Sequence, residues 1–179
     1  MQIICIMGRS GSGKSTIEKL FENIGYTRVI SYTTREMRSG EENHVNYHFI
    51  NREQFQSLLD NGHLIEWAEY NGNLYGLPKP VGSNKYVVVT ETDGFKQLKQ
   101  LYGDQVFGVY LDVPYEVIEE RLNIRNNTPE NIRKLRIKED DTKFSEAVKI
   151  ADAVVDGSLD VADVFNSVLK CAISWRDSI

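Results

Sequence analysis

Residues 8–15, Gly8-Arg9-Ser10-Gly11-Ser12-Gly13-Lys14-Ser15, match the spacing G-x-x-x-x-G-K-[ST] and follow the apolar run Ile3-Ile4-Cys5-Ile6-Met7. Glycines in such a loop let the chain fold round phosphate oxygens and aim backbone N–H groups at them. Lys14 at this spacing reaches the β- and γ-phosphates of a nucleotide, and the Ser15 hydroxyl is placed to hold Mg2+. The helix beginning near Lys14 adds the partial positive charge of its N-terminus. A Gly/Ser turn between strand and helix is the alternative without chemistry.

The loop works only if a buried strand delivers it and a helix starts behind it. Residues 14 to about 22 read as that helix, closed by Asn23-Ile24-Gly25. Residues 27–30 read as a short strand, and 31–40 are polar and arginine-bearing without periodicity. Residues 45–50 return to strand character. Asn51, with Gln54 three residues on, forms a capping box for a helix that Gly62 ends. Residues 64–70 and 73–75 flank Asn71-Gly72, a hairpin signal. Strands at 86–90 and 106–113 follow, with a helix near 94–101 between them. Pro114 opens a helix to about Arg125, and Thr128-Pro129 opens another. A last strand at 153–155 and a closing amphipathic helix at 159–175 complete the pattern. Strands alternating with helices predict an α/β fold, a parallel sheet covered on both faces, with a small mixed unit set in over 45–75.

The chain has 179 residues, 41% of them hydrophobic and 26% charged, which suits one domain. A net charge of −5 argues against wholesale nucleic-acid binding. Two cysteines, Cys5 and Cys171, make no disulfide framework and point to a reducing, cytoplasmic setting. No apolar run has the length of a membrane span, and the N-terminus shows no leader pattern. His44, His48 and His63 show no metal-ligand spacing.

A phosphate loop alone does not separate kinases from GTPases, ATPases or passive binders. The guanine-reading N-K-x-D of switch GTPases is missing, since Asn84-Lys85-Tyr86-Val87 lacks the aspartate. A kinase needs a second anionic site and cations for the transferring group. Arg35 and Arg38, flanked by Ser31, Thr33, Thr34 and Ser39, offer one, with Tyr47 and Tyr75 as phenolic donors. Guanidinium forks match phosphate oxygens bidentately. An arginine pair in a loop is equally read as a solvated surface. Arg121 and Arg125, at i and i+4, project from one helix face, and Arg136 follows on the next helix.

The order of these blocks is more specific than any one of them. Ser31-Tyr-Thr-Thr-Arg35-Glu-Met-Arg38-Ser-Gly40-Glu41 is followed by Tyr47-His-Phe49, Glu66-Trp67-Ala68-Glu69 and Gly72-Asn73-Leu-Tyr75-Gly76. Arg121-Leu122-x-x-Arg125 and Asp152-x-Val-Val come later. Together they resemble the guanylate kinase family from Ile3 to about Ser158. The resemblance implies a P-loop kinase fold: a core (1–30, 86–120 and 141–179), a monophosphate-binding subdomain (31–85) and a helical lid (121–140). It implies an ATP:GMP phosphotransferase, taking GMP or dGMP and using Mg2+ with ATP.

On that resemblance Gly8, Ser10, Gly11, Ser12, Gly13, Lys14, Ser15 and Thr16 bind ATP, with Ser15 on the metal. Arg35, Arg38, Tyr47 and Tyr75 hold the acceptor phosphate, while Ser31, Glu66 and Glu91 face its base or sugar. Lys14, Arg35, Arg121 and Arg125 stabilise charge on the transferring group, and Arg136 joins them in the lid. Glu66 suits guanine chemically, because N1–H and the N2 amino group are adjacent donors and a carboxylate accepts from both. The implied protein is a cytoplasmic monomer or homodimer, bound neither to nucleic acid nor to membrane.

Three differences set the chain apart from the family pattern. Val89 and Glu91 stand where the family has D-x-D, which leaves help from the first carboxylate to Asp93 or water. Leu77 replaces a hydroxyl residue after Tyr75-Gly76. The 77–85 connection is short and carries Pro78, Pro80 and Gly82, so the helix expected there shrinks to a loop. A same-fold kinase with another acceptor, or a non-catalytic interaction module, are the alternatives.

Overall fold

The computed structural model describes residues 1–70, 72–125 and 146–178. In chain order they form β1 (Gln2–Gly8), α1 (Lys14–Asn23), β2 (Thr27–Arg28), β3 (Tyr32–Thr33), β4 (His48–Phe49), α2 (Arg52–Asp60), β5 (Leu64–Tyr70) and β6 (Asn73–Pro78). After these come β7 (Lys85–Val89), α3 (Thr92–Tyr102), β8 (Val106–Asp112), α4 (Tyr115–Arg125), α5 (Ala147–Ile150), β9 (Ala153–Asp156) and α6 (Val161–Arg176).

Successive side chains of β1 point to opposite faces, as strand geometry requires. Ile3, Cys5 and Met7 enter one core layer with Val88, Phe95, Leu98 and Ala147. Ile4 and Ile6 enter the other with Ile17, Phe21, Val164 and Val168. Helices α3 and α5 thus cover one face, and α1 and α6 the other. That double burial is why the strand reads as an unbroken apolar run. The sheet order is β2-β7-β1-β8-β9, with every pair parallel. The α/β architecture is the one the alternation predicts.

A second, mixed sheet has the order β4-β3-β6-β5. β3 pairs parallel with β4 and antiparallel with β6, and β5 and β6 form the hairpin. Helix α2 opens on the predicted capping box: Asn51 Oδ1 accepts from the Gln54 N–H at 2.8 Å, and Gln54 Oε1 from the Asn51 N–H at 2.9 Å.

Several boundaries differ from the sequence expectation. The strand expected over 45–50 is confined to β4, because residues 43–47 turn back on themselves: the His44 N–H donates to Tyr47 O at 2.8 Å. The strand at 27–30 is only Thr27–Arg28, although the Val29 N–H still donates to Val87 O. The stretch 31–40, without visible period, contains β3. β6 extends to Pro78, and no helix occurs between it and β7, as the prolines require. The helix expected after Thr128 lies outside the described residues.

Gly108 on β8 lets α3 lie close, since a Cβ there would run into the Phe95 ring. Gly108→Ala is therefore expected to destabilise the fold by about 1–3 kcal/mol through overpacking. Urea unfolding checks this, and an unchanged midpoint would contradict the packing described.

Candidate active site

β1 ends at Gly8, where the loop leaves the sheet. A Cβ there would stand 2.6 Å from Ser12 Oγ and 2.9 Å from Leu111 O, so only glycine lets the chain turn this tightly against β8. Gly13, the N-cap of α1, has φ 95°, and nothing lies within 4 Å of where its Cβ would be. The cradle is open on that side. The Lys14 ammonium curls back over the loop, donating to Gly8 O at 2.7 Å and Arg9 O at 2.8 Å. Ser12 Oγ is buried with no hydrogen-bond partner among the described residues. Ser15, at the second position of α1, is exposed, and Ser10 and Thr16 are half-buried.

Helix α4 rests on this loop through Ile118 and Leu122, whose side chains would meet a Cβ on Gly11. Arg121 follows from that packing into a cavity of about 280 Å3 beside Gly11, Ser12, Gly13 and Thr16. Gly157, Leu159, Val161 and Val164 close its far side. The sequence reading missed this apolar wall, because it is assembled from the β9–α6 connection and the first turn of α6 and carries no polar motif. Arg125 ends α4, but its side chain, like all of Arg136, lies outside the described residues.

The mixed sheet brings Arg35, Tyr47 and Tyr75 together. The Arg35 guanidinium lies 5.7 Å from the Tyr47 ring centroid and 5.5 Å from that of Phe49, and the Tyr47 and Tyr75 rings meet edge-on at 6.0 Å. Burial pushes the Tyr47 phenol up, with Tyr75 adding to it and Arg35 opposing. Glu41, to which the sequence reading gave no role, accepts from Arg35 Nη2 at 2.9 Å and from the Arg38 N–H at 2.8 Å. Burial alone would raise its carboxyl. The Arg35 hydrogen bond, the Arg38 N–H and both arginine charges outweigh that and hold it below the usual carboxylate range. The Arg38 side chain is exposed, and half-buried Ser31 offers its carbonyl to the His48 N–H at 2.9 Å.

Glu66 on β5 reaches the first turn of α3. A Cβ on Gly94 would lie 2.8 Å from Glu66 Oε1 and would collide with Thr90 Oγ1. Glu91 is the N-cap of that helix and is exposed. Leu77 pairs with Glu66 across the hairpin and is 2% exposed, so its side chain serves the core beside Val88 and Phe95. Asp93 turns to solvent, 3.9 Å from Lys96 Nζ.

A family model described as guanylate kinase matches residues 1–168. This chain belongs to the guanylate kinase family. It is 39% identical to a guanylate kinase of Carboxydothermus hydrogenoformans over 140 residues, covering 73% of this chain and 68% of that one. A guanylate kinase of Synechocystis is 33% identical over 169 residues, covering 90% and 88% respectively. The crystal structure of guanylate kinase from Anaplasma phagocytophilum superposes with a TM-score of 0.71, over 99% of this chain and 85% of that one, at 23% identity. At that identity the likeness speaks for the fold.

Within this guanylate kinase family member, one buried ion pair joins β2 to α1, and its arginine also reaches the turn before β4. Arg28 Nη2 lies 3.1 Å from Glu18 on α1, and the same nitrogen donates to Val45 O, in the turn before β4, at 3.2 Å. Burial pushes the Glu18 carboxyl up, and Arg28 only partly offsets it.

The Glu41 pair sets a pH expectation. A carboxyl whose folded-state pKa is lowered contributes stability that is fully present above its unfolded value, about 4.3, and lost as pH falls through the folded value. The urea midpoint of the wild type is expected to exceed that of Glu41→Gln at pH 7, with the gap closing in the acid range. A gap that stays constant down to pH 3 would contradict the pairing.

Proposed function

We propose that this chain transfers the γ-phosphoryl group of ATP to GMP or dGMP by direct in-line displacement. The carrying observation is the placement of two sites on neighbouring parallel strands. β1 ends in the phosphate loop, and β7 beside it leads into Thr90, Glu91 and the α3 turn against which Glu66 lies. The Thr90 N–H donates to Ile6 O, so the two strand ends are tied. Ligands of open parallel sheets bind at that carboxyl edge.

The chain's own groups divide the work. Backbone N–H groups from Gly8 to Thr16 and the Lys14 ammonium hold the donor phosphates, with Lys14 exchanging its carbonyl partners for phosphate oxygens. The apolar wall of Leu159 and Val161 takes the donor base. Arg35, Arg38, Tyr47 and Tyr75 hold the acceptor phosphate, Glu66 reads guanine, and Ser31 and Glu91 flank the nucleoside. Adenine would leave the Glu66 carboxylate without its two donors, at a cost of about 1–3 kcal/mol. Arg121, Arg125 and Arg136 neutralise charge on the transferring group, with residues 121–140 acting as the lid over a core (1–30, 86–120, 141–179) and an acceptor subdomain (31–85). Catalysis is then positioning and electrostatics, with closure keeping water out.

The loop also suits Mg2+. An exposed hydroxyl at Ser15 and an open, glycine-edged cradle fit a hard cation that keeps most of its water. Held by Ser15 and the donor phosphates, Mg2+ would supply charge neutralisation. Net charge −5 speaks against wholesale nucleic-acid binding, and the reading puts the enzyme in the cytoplasm as a monomer or homodimer. Among the described residues no helix is long and apolar enough to cross a membrane.

Coupled ADP release with GMP, dGMP, AMP, CMP, UMP and dTMP tests the reading. GMP or dGMP turnover is expected to lead. Lys14→Ala should lower kcat by roughly 10²–10³-fold. Glu66→Ala should erase the guanine preference while ATP binding persists. Equal turnover of all acceptors by the wild type, or a Glu66→Ala variant that still prefers guanine, would sink the assignment.

A further inference from the structure

His44 has a left-handed backbone, φ 64°, unlike any other non-glycine residue described. A Cβ makes that conformation unfavourable, and glycine would adopt it freely. Such strain persists where the surroundings over-determine it, often at a binding site. Here it brings a second imidazole within reach, which the sequence, read as showing no metal-ligand spacing among its histidines, did not suggest: His44 Nδ1 lies 2.7 Å from His48 Nδ1, with ring centroids 5.0 Å apart.

The His48 ring and the His44 backbone are both held in place. His48 belongs to β4, its N–H bonded to Ser31 O and its ring against Tyr32 at 4.6 Å. The His44 N–H is directed at Asn43 Oδ1 and Tyr47 O, and Asn43 Oδ1 also accepts from the Phe49 N–H at 2.9 Å. Residues 43–49 therefore form a loop closed by its own hydrogen bonds.

We propose that His44 and His48 form a binding site for a divalent transition-metal ion of the nitrogen-preferring class (zinc, nickel or copper), ligated through both Nδ1 atoms. Without metal, one Nδ1–H donates to the other nitrogen. With metal at about 2.0–2.1 Å from each nitrogen, the 2.7 Å pair must open by roughly 0.6–0.7 Å for a tetrahedral ion and turn both rings so that their Nδ1 lone pairs converge on it. The bridging proton moves through solvent to Nε2 of the same ring, so both Nδ1 lone pairs face the ion and no net proton is lost. His44 is exposed, which leaves the remaining coordination positions to water. A ligand imidazole must be neutral. Two imidazoles do not suit Mg2+, which takes oxygen ligands, so this site does not compete for the metal of the nucleotide. Through the His44–Tyr47 hydrogen bond, an occupied site stiffens the loop that carries Tyr47 to Arg35.

Calorimetric titration of zinc into the full chain, free of nucleotide and in a non-chelating buffer, tests this. One ion per wild-type chain is expected. His44→Gly preserves the left-handed backbone and removes only the ring, and should weaken binding by more than the roughly 10–100-fold that an outer-shell partner is worth. His48→Gln, which keeps the β4 backbone, should do the same. Lack of saturable binding by the wild type would overturn the proposal. So would binding that survives both substitutions, since the ion would then belong to Cys171, His63 or another group.

Discussion

β1 is hydrogen-bonded on both sides, to β7 and to β8, and none of its side chains from Ile3 to Met7 reaches solvent. Each such side chain stabilises the fold by about 1.5–3 kcal/mol if fully buried, and backbone pairing on both edges leaves no freedom of register. The phosphate loop inherits that rigidity. Its first glycine is pressed between Leu111 O and Ser12, and its middle glycine supports Leu122. A cradle made of backbone N–H groups has no side-chain geometry to correct it, so it can be only as well placed as the strand that carries it. Burial of β1 is therefore a condition of the chemistry as well as of stability.

The mixed sheet is built differently. Its β3 and β4 have only two residues each, and its polar residues are held by charge. A half-buried guanidinium requires an anion nearby, because an unpaired charge out of water is costly. Glu41 meets that need for Arg35, and Glu18 meets it for Arg28. The first pair lies among Tyr47, Tyr75 and Phe49, where a phosphate would bring its own negative charge. The second ties α1, behind the phosphate loop, to Val45 in the turn before β4. One arginine thus links the turn before β4 to α1.

Much of this was legible in the chain. The capping box at Asn51 and Gln54 is a local pattern, and it formed as read because its partners are three residues apart. The apolar runs of β1, β7 and β8 and the proline-rich stretch after Leu77 are local in the same sense. β3 and β4 were less legible, since two-residue strands have no period to detect and exist only through pairing with β6 and with each other. The Glu18–Arg28 pair was invisible for a related reason: its residues lie on different elements, and each alone is an ordinary surface charge.

Sequence by itself determined the residue types available at each local pattern: the glycine spacing with Lys14 and Ser15, the arginines and tyrosines of 31–75, and the alternation of strand and helix. These follow from backbone sterics and periodicity, which act over a few residues. Tertiary structure alone decided which of them meet. It set Glu66 of the mixed sheet against Gly94 of α3, put Arg121 beside Gly13, gave Arg35 to Glu41, and turned His44 onto His48 through a left-handed backbone that few non-glycine residues adopt. Those choices depend on burial and on pairing between distant segments, where the free energy belongs to the contact rather than to either residue.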